Sequence, residues 1–168
     1  MLFGKSWYGT GDVGLLLLRI GIGASMMIFH GYGKITAGPE RWHSLGAQMQ
    51  NLGISFAPTF WGFMAAASEF FGSLLIVMGL FFRPATALLA ITMLVAATRH
   101  LNLPEGEPGA GWRGASHALE LLAVYVALFL IGPGRYAIGV RWKRDDGIDP
   151  WEKNAAPSSE GAADADPS

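Results

Sequence analysis

The sequence predicts an all-α membrane protein, a four-transmembrane-helix bundle with a short amphipathic helix between helices 1 and 2. Composition is the first reason: of 168 residues, 51% are hydrophobic and only 15% charged, against about 25% charged in an average soluble domain. Distribution is the second. The apolar residues gather in four runs, about 13–31, 56–82, 85–98 and 118–131, and a hydrocarbon core roughly 30 Å thick calls for runs of this kind. A net charge of −1 excludes a strongly basic nucleic-acid surface, because duplex binding neutralises several phosphates. The absence of cysteine excludes disulfides, thiol relays, thiolate-held iron–sulfur clusters and covalently attached c-type haem.

The first run follows Lys5 as the core of a signal peptide would. It continues to Phe29 with no Ala-x-Ala site after it, so it reads as a retained first helix. Beyond it, Trp42, Leu45, Met49 and Leu52 recur at helical spacing among Arg41, His43, Gln48, Gln50 and Asn51. That pattern describes an amphipathic helix, either lying on the outer surface or capping the bundle. The second run ends at Arg83-Pro84, and proline suits the first turn of a third helix, so helices 2 and 3 should form an antiparallel hairpin. The third run is the shortest: its 14 residues cover about 21 Å. It spans only if Arg99, Leu101 and Leu103 extend it.

Seven basic residues fall on the side of the termini (Lys5, Arg83, Arg135, Arg141, Lys143, Arg144, Lys153) and four opposite (Lys34, Arg41, Arg99, Arg113). The positive-inside rule then places both termini in the cytoplasm. Residues 145–168 are acidic and poor in apolar side chains, the composition of a disordered tail, which leaves 1–144 as the membrane domain.

Two ionisable residues lie inside the runs, Arg19 in the first and Glu69 in the second. A charge near the bilayer centre costs roughly 2.5–3.5 kcal/mol even on the lenient insertion scale, so it has a partner, a cavity or a task. Arg19, Gly23, Met26 and His30 share one helical stripe, and Ala65, Ala66, Glu69, Gly72 and Ser73 share another. Both stripes should face inward, where small residues permit close packing. By depth, the two charges differ by only about 8 Å, so they are expected either to pair or to face a ligand together.

Polar residues also gather at the outer ends: His30 and Lys34 on helix 1, Arg99 and His100 on helix 3, His117 and Glu120 on helix 4. With Glu69 they would line a cavity open to the outside. The candidates for proton chemistry are therefore Glu69, His30, His117 and Glu120, with Arg19 and Lys34 as substrate-binding residues. Histidine and carboxylate relay protons, as a quinone head group requires when it changes redox state. A metal site is disfavoured, because bundle di-iron sites use Glu-x-x-His twice plus two further glutamates and this chain has one reversed pair. A b-type haem held by two of His30, His100 and His117 is disfavoured as well, since interfacial roles account for each histidine.

Leu17-Leu18-Arg19-Ile20-Gly21, then Phe29-His30-Gly31-Tyr32-Gly33-Lys34, then Glu69 with Gly72 and Gly79-Leu80, then Arg83, then Gly132-Pro133-Gly134-Arg135-Tyr136, resemble in order the DoxX family of small four-helix membrane proteins. The resemblance implies a bacterial or archaeal plasma-membrane protein, and it links some relatives to thiosulfate oxidation with quinone as acceptor or to quinone stress. Arg19, His30, Lys34, Glu69 and Glu120 match the family's recurrent polar positions. Ala137-Ile138-Gly139 stands where the family usually has Ser-Leu-Asp, so that cytoplasmic corner is expected to differ.

The leading expectation is the membrane component of a quinone-linked redox system, working in the lipid bilayer with a partner redox protein. The cofactor beyond quinone and the oligomeric state stay open. A non-catalytic scaffold anchoring a partner enzyme is the competing reading. A small proton or solute conduit is third, disfavoured because no inverted repeat is visible.

Overall fold

Among the described residues four helical stretches are long and apolar enough to cross a bilayer: Thr10–Ile35, Pro58–Met78, Phe82–Asn102 and Gly111–Ile131. The computed structural model describes residues 7–138. The acidic tail expected at 145–168, the boundary at 144, and Lys5, Arg141, Lys143, Arg144 and Lys153 lie outside the described residues. The first span consists of α1 (Trp7–Ser25), a π-helical segment Met26–Gly31 and α2 (Tyr32–Ile35). A cap follows, α3 (Pro39–Gly46) and a 3₁₀ segment Ala47–Leu52. The second span is α4 (Pro58–Ala67), a π-helical segment Ser68–Gly72 and α5 (Ser73–Met78). The third and fourth spans are the uninterrupted helices α6 (Phe82–Asn102) and α7 (Gly111–Ile131).

The third span reaches full length because its polar end, through Arg99 and His100, stays helical. The fourth begins at Gly111 rather than Ala118, recruiting a less apolar turn. With four crossings, both ends of the described chain lie on one side, the terminal side; α3 and the 103–110 loop lie on the other, the cap side.

α3 does not float on the surface. A Cβ on Gly62 would overlap the Trp42 carbonyl, and one on Gly46 would overlap the Pro58 carbonyl, so these two glycines bring the backbones of α3 and α4 into direct contact, as small residues do in membranes. Trp42 packs edge-on against Phe63 with ring centroids 5.0 Å apart and donates its indole N–H to the Lys34 carbonyl at 2.9 Å. The amphipathic segment is thus a cap on the bundle.

On the terminal side, Arg19 is fully buried and acts as a clasp. Nε donates to the Ile76 carbonyl at 2.9 Å and Nη2 to the Val77 carbonyl at 3.0 Å. Nη1 donates to the carbonyls of Pro133 at 2.6 Å and Tyr136 at 3.2 Å. The first two are carbonyls of the last turn of α5, where the helical ladder runs out; that of Ile76 also accepts from the Gly79 N–H at 3.2 Å. The guanidinium also lies over the Phe82 ring, 5.4 Å from its centroid. Gly79, left-handed at φ 75°, ends α5; a Cβ there would strike Arg19 and Ala137. The Ile138 N–H closes on the Met78 carbonyl at 2.9 Å, and Asp12 accepts from the Arg135 N–H at 3.2 Å. The corner around Ala137 and Ile138 is therefore built onto α1 and α5.

This geometry corrects the expected Arg19–Glu69 pair. Gly31 packs against the backbone of Glu69 and Phe70, and farther toward the terminal side the Arg19 guanidinium meets the carbonyls of Ile76 and Val77. Those residues are seven and eight positions beyond Glu69, or about 11 Å along the helix, outside the reach of an ion pair.

Two outcomes follow. Arg19→Lys keeps the charge but cannot hold four carbonyls, and is expected to lower unfolding stability in mild detergent by about 3 kcal/mol, the scale of lost hydrogen bonds to a charged group. Gly62→Ala, overpacking the α3–α4 contact, is expected to cost about 1–3 kcal/mol in the same assay. Wild-type stability in either variant would remove the role given to that residue.

Candidate functional site

The two π-helical segments, Met26–Gly31 and Ser68–Gly72, pack against each other. Such wide turns are rare and cluster at functional sites. Here they hold His30 and Glu69. The contact depends on Gly31, where a Cβ would come within 2.7 Å of the Phe70 nitrogen and 2.8 Å of the Glu69 oxygen.

From this junction the Glu69 side chain, 3% exposed, meets Lys34 Nζ at 2.6 Å through Oε1. Lys34 stands about one turn nearer the cap and is 27% exposed, so its stem runs along apolar surface toward a buried carboxylate. Glu69 Oε2 has no hydrogen-bond partner among the described residues. The Ser73 and Tyr125 hydroxyls and the Trp61 indole N–H are likewise buried without partners. An unmet buried polar atom costs about 1–3 kcal/mol, and of these four groups Glu69 and Trp61 border open space.

Glu69 and Trp61 line a cavity of about 420 Å³, within the range of small-molecule sites. Met26, His30 and Lys34 of the first span form one wall, and Gly114, His117, Ala118 and Leu121 of α7 another. Arg41, Leu45 and Met49 roof it from the cap. The His30 and His117 rings stack across it, centroids 5.8 Å apart and planes at 29°. On the side of α6, Ser68 and Thr92 share a hydroxyl hydrogen bond of 2.7 Å. Four of the chain's seven methionines, Met26, Met49, Met64 and Met93, line the space, and methionine conforms to ligands of irregular shape.

The family model described as DoxX matches residues 14–101, a little over half of the chain. The chain belongs to the DoxX family. No match is found among curated proteins or among solved structures. The matched stretch covers the second span and nearly all of the first and third, and so carries Arg19, both π-helical segments and the Lys34–Glu69 pair.

In this DoxX protein the bundle brings together His30, Lys34, Glu69 and His117. It does not bring Arg19 or Glu120 to them. Arg19 clasps the terminal side, as described above. Glu120 is exposed and does not line the cavity: the wall-forming stripe of α7 runs Gly114, His117, Ala118, Leu121, and Glu120 lies about 100° off Leu121. His100 contacts the 103–110 loop instead, with Nδ1 2.8 Å from the Gly109 carbonyl, while its side chain borders the cavity. Among the described residues no three His, Asp or Glu side chains converge as a metal-ligand set.

Sequence reading missed Trp61, Tyr125 and the Ser68–Thr92 link. Ser73 lies on the inward stripe, where its small size is what the sequence pattern registers. Tyr125 is the one hydroxyl-bearing side chain in the run 118–131, and that alone would have marked it.

The pair should respond unequally to its two deletions. Lys34→Met strands a nearly buried carboxylate and is expected to cost about 2 kcal/mol or more. Glu69→Gln leaves a lysine that can turn to the cap side, and should cost less than half as much. The double variant should recover stability relative to Lys34→Met; equal costs, or no coupling in reversible unfolding, would show that the pair does not carry the junction.

Proposed function

We propose that this DoxX protein is the membrane component of a quinone-linked redox system, binding a quinone or quinol head group in the Glu69 cavity. The observation that carries the reading is Glu69 itself: one carboxylate oxygen held by Lys34, the other unpartnered, at the edge of a largely apolar cavity. A head group has two oxygens that accept hydrogen bonds when oxidised and donate them when reduced. Lys34 donates to a quinone carbonyl, and Glu69 Oε2 accepts from a quinol hydroxyl.

Oxidation of quinol releases two protons and two electrons; reduction takes up the same. Glu69 is placed to take the first proton at Oε2, and the stacked His30 and His117 extend the route from there. The electrons pass to or from a partner redox protein. By the charge distribution along the chain, the cap side is external and both termini are cytoplasmic; the family resemblance points to the plasma membrane of a bacterium or archaeon.

The tight packing below Glu69 favours this reading over a conduit. Ile76, Leu89 and Leu128 are fully buried there, and Arg19 with its four carbonyls fills the terminal side. Protons would enter and leave on the cap side alone.

Glu69→Gln is expected to weaken binding of a short-chain benzoquinone in mild detergent at least tenfold, the scale of one charge-assisted hydrogen bond, with insertion intact. Normal quinone binding, or failure to assemble, would end the pocket role. A partner that co-purifies stably with protein that binds no quinone would favour the scaffold.

A further inference from the structure

The cavity has a second kind of boundary besides its polar one. Of the residues that line it, Leu88 and Ile91 on α6 are 43% and 55% exposed. Ile91 stands about 16 Å along α6 from its cap-side end, and Leu88 about 21 Å. Those depths belong to the hydrocarbon region, not to the interface. On the facing span, Met64 and Ala65 of α4 border the same cavity.

The helices on either side part at this level. α6 packs against α5 and against the π-helical segment Ser68–Gly72, but hardly against α4. Nearer the cap, the 3₁₀ segment Ala47–Leu52 fills the gap by packing on α6. Below the 3₁₀ segment, to either side of the Ser68–Thr92 hydrogen bond, a window remains. Its lining, Met49, Met64, Ala65, Leu88, Ile91 and Val95, carries no charge. A polar solute reaching the cavity through lipid would gain nothing from such a wall, whereas an alkyl chain crosses it without losing apolar contact.

We propose that the cavity opens sideways into the bilayer through this window between α4 and α6, and that the window holds the alkyl or isoprenoid chain of a membrane-dissolved amphiphile. The head group lies at Lys34 and Glu69, the chain passes Ala65 and Ile91, and its far end lies among lipid tails. The occupant is chosen by continuity: one cavity joins the polar pair to the exposed leucine and isoleucine. This inference rests on the head-group reading above for what sits at Glu69. It goes beyond that reading in assigning the ligand's route and the residues that hold its tail.

The test uses the buried Met26 and Met93, 3% and 5% exposed, which a lipid chain reaches only from inside the cavity. Full-length protein is reconstituted in phosphatidylcholine bilayers containing a phospholipid with a diazirine on its acyl chain, irradiated and mapped by mass spectrometry. Labelling of Met26 or Met93 is expected. Because the chain has no cysteine, Ile91→Cys can be modified alone with a benzyl thiol reagent, and that adduct should reduce the interior labelling at least fivefold. The same adduct on Ile20→Cys, on the lipid-facing side of α1 at 44% exposure, should leave it unchanged. Unlabelled Met26 and Met93, or labelling indifferent to the Ile91 adduct, would overturn the window. A decyl-substituted benzoquinone that displaces the interior label supports the window and the head-group reading together. Interior labelling that depends on Ile91 but is not displaced by the quinone supports the window and removes the quinone.

Discussion

A bilayer offers no solvent for a stray charge, so each ionised group inside the bundle must be answered by the protein or by a ligand. Arg19 is the clearest case. Its guanidinium is answered four times by backbone carbonyls, at Ile76, Val77, Pro133 and Tyr136. These carbonyls belong to the end of α5 and to the segment after α7, so a single side chain of α1 ties the terminal ends of three spans. Lysine has the charge without the planar fork, and could not serve all four. With that side closed, the register of the first two spans is fixed, and Gly31 meets Glu69 and Phe70.

Glu69 is answered only by half. Lys34 takes one oxygen, and the other stays without a protein partner at the edge of a cavity. The contrast between the two charges separates their uses. A fully satisfied buried ion organises a fold, and a partly satisfied one is a reserve of interaction energy for whatever enters. The π-helical turns belong to the same arrangement. Each sets an extra residue into its span where the two segments meet, and each carries one of the cavity's ionisable side chains, His30 and Glu69.

The cap completes the enclosure. Because Gly46 and Gly62 let α3 lie directly on α4, Arg41, Leu45 and Met49 reach over the cavity as a roof. The same placement leaves α4 and α6 apart below the 3₁₀ segment. Closure above and an apolar gap at the side are thus two results of one helix contact.

Much was legible from the sequence. The four spans follow from run length and composition, which the thickness of hydrocarbon makes decisive. The inward stripes of Arg19 and Glu69 follow from helical period and from the cost of charge in lipid, and the cluster of His30, Lys34 and His117 with Glu69 follows from which ends share a side. The partners of these charges did not follow. Helix period gives direction around an axis but not the sliding of one helix past another. Counting residues from the apparent ends of the runs put Arg19 and Glu69 about 8 Å apart in depth, whereas the guanidinium meets Ile76 and Val77, about 11 Å along the helix from Glu69. The placement of Glu120 failed for a related reason, since an offset of three shares a face only loosely and the cavity wall is narrower than that face. By itself the sequence determined that four helices cross a membrane with two charges turned inward. Which atoms answer those charges was decided by close backbone contacts at Gly31, Gly46 and Gly62 and by two π-helical turns, features of register and backbone path that a linear pattern of side chains does not encode.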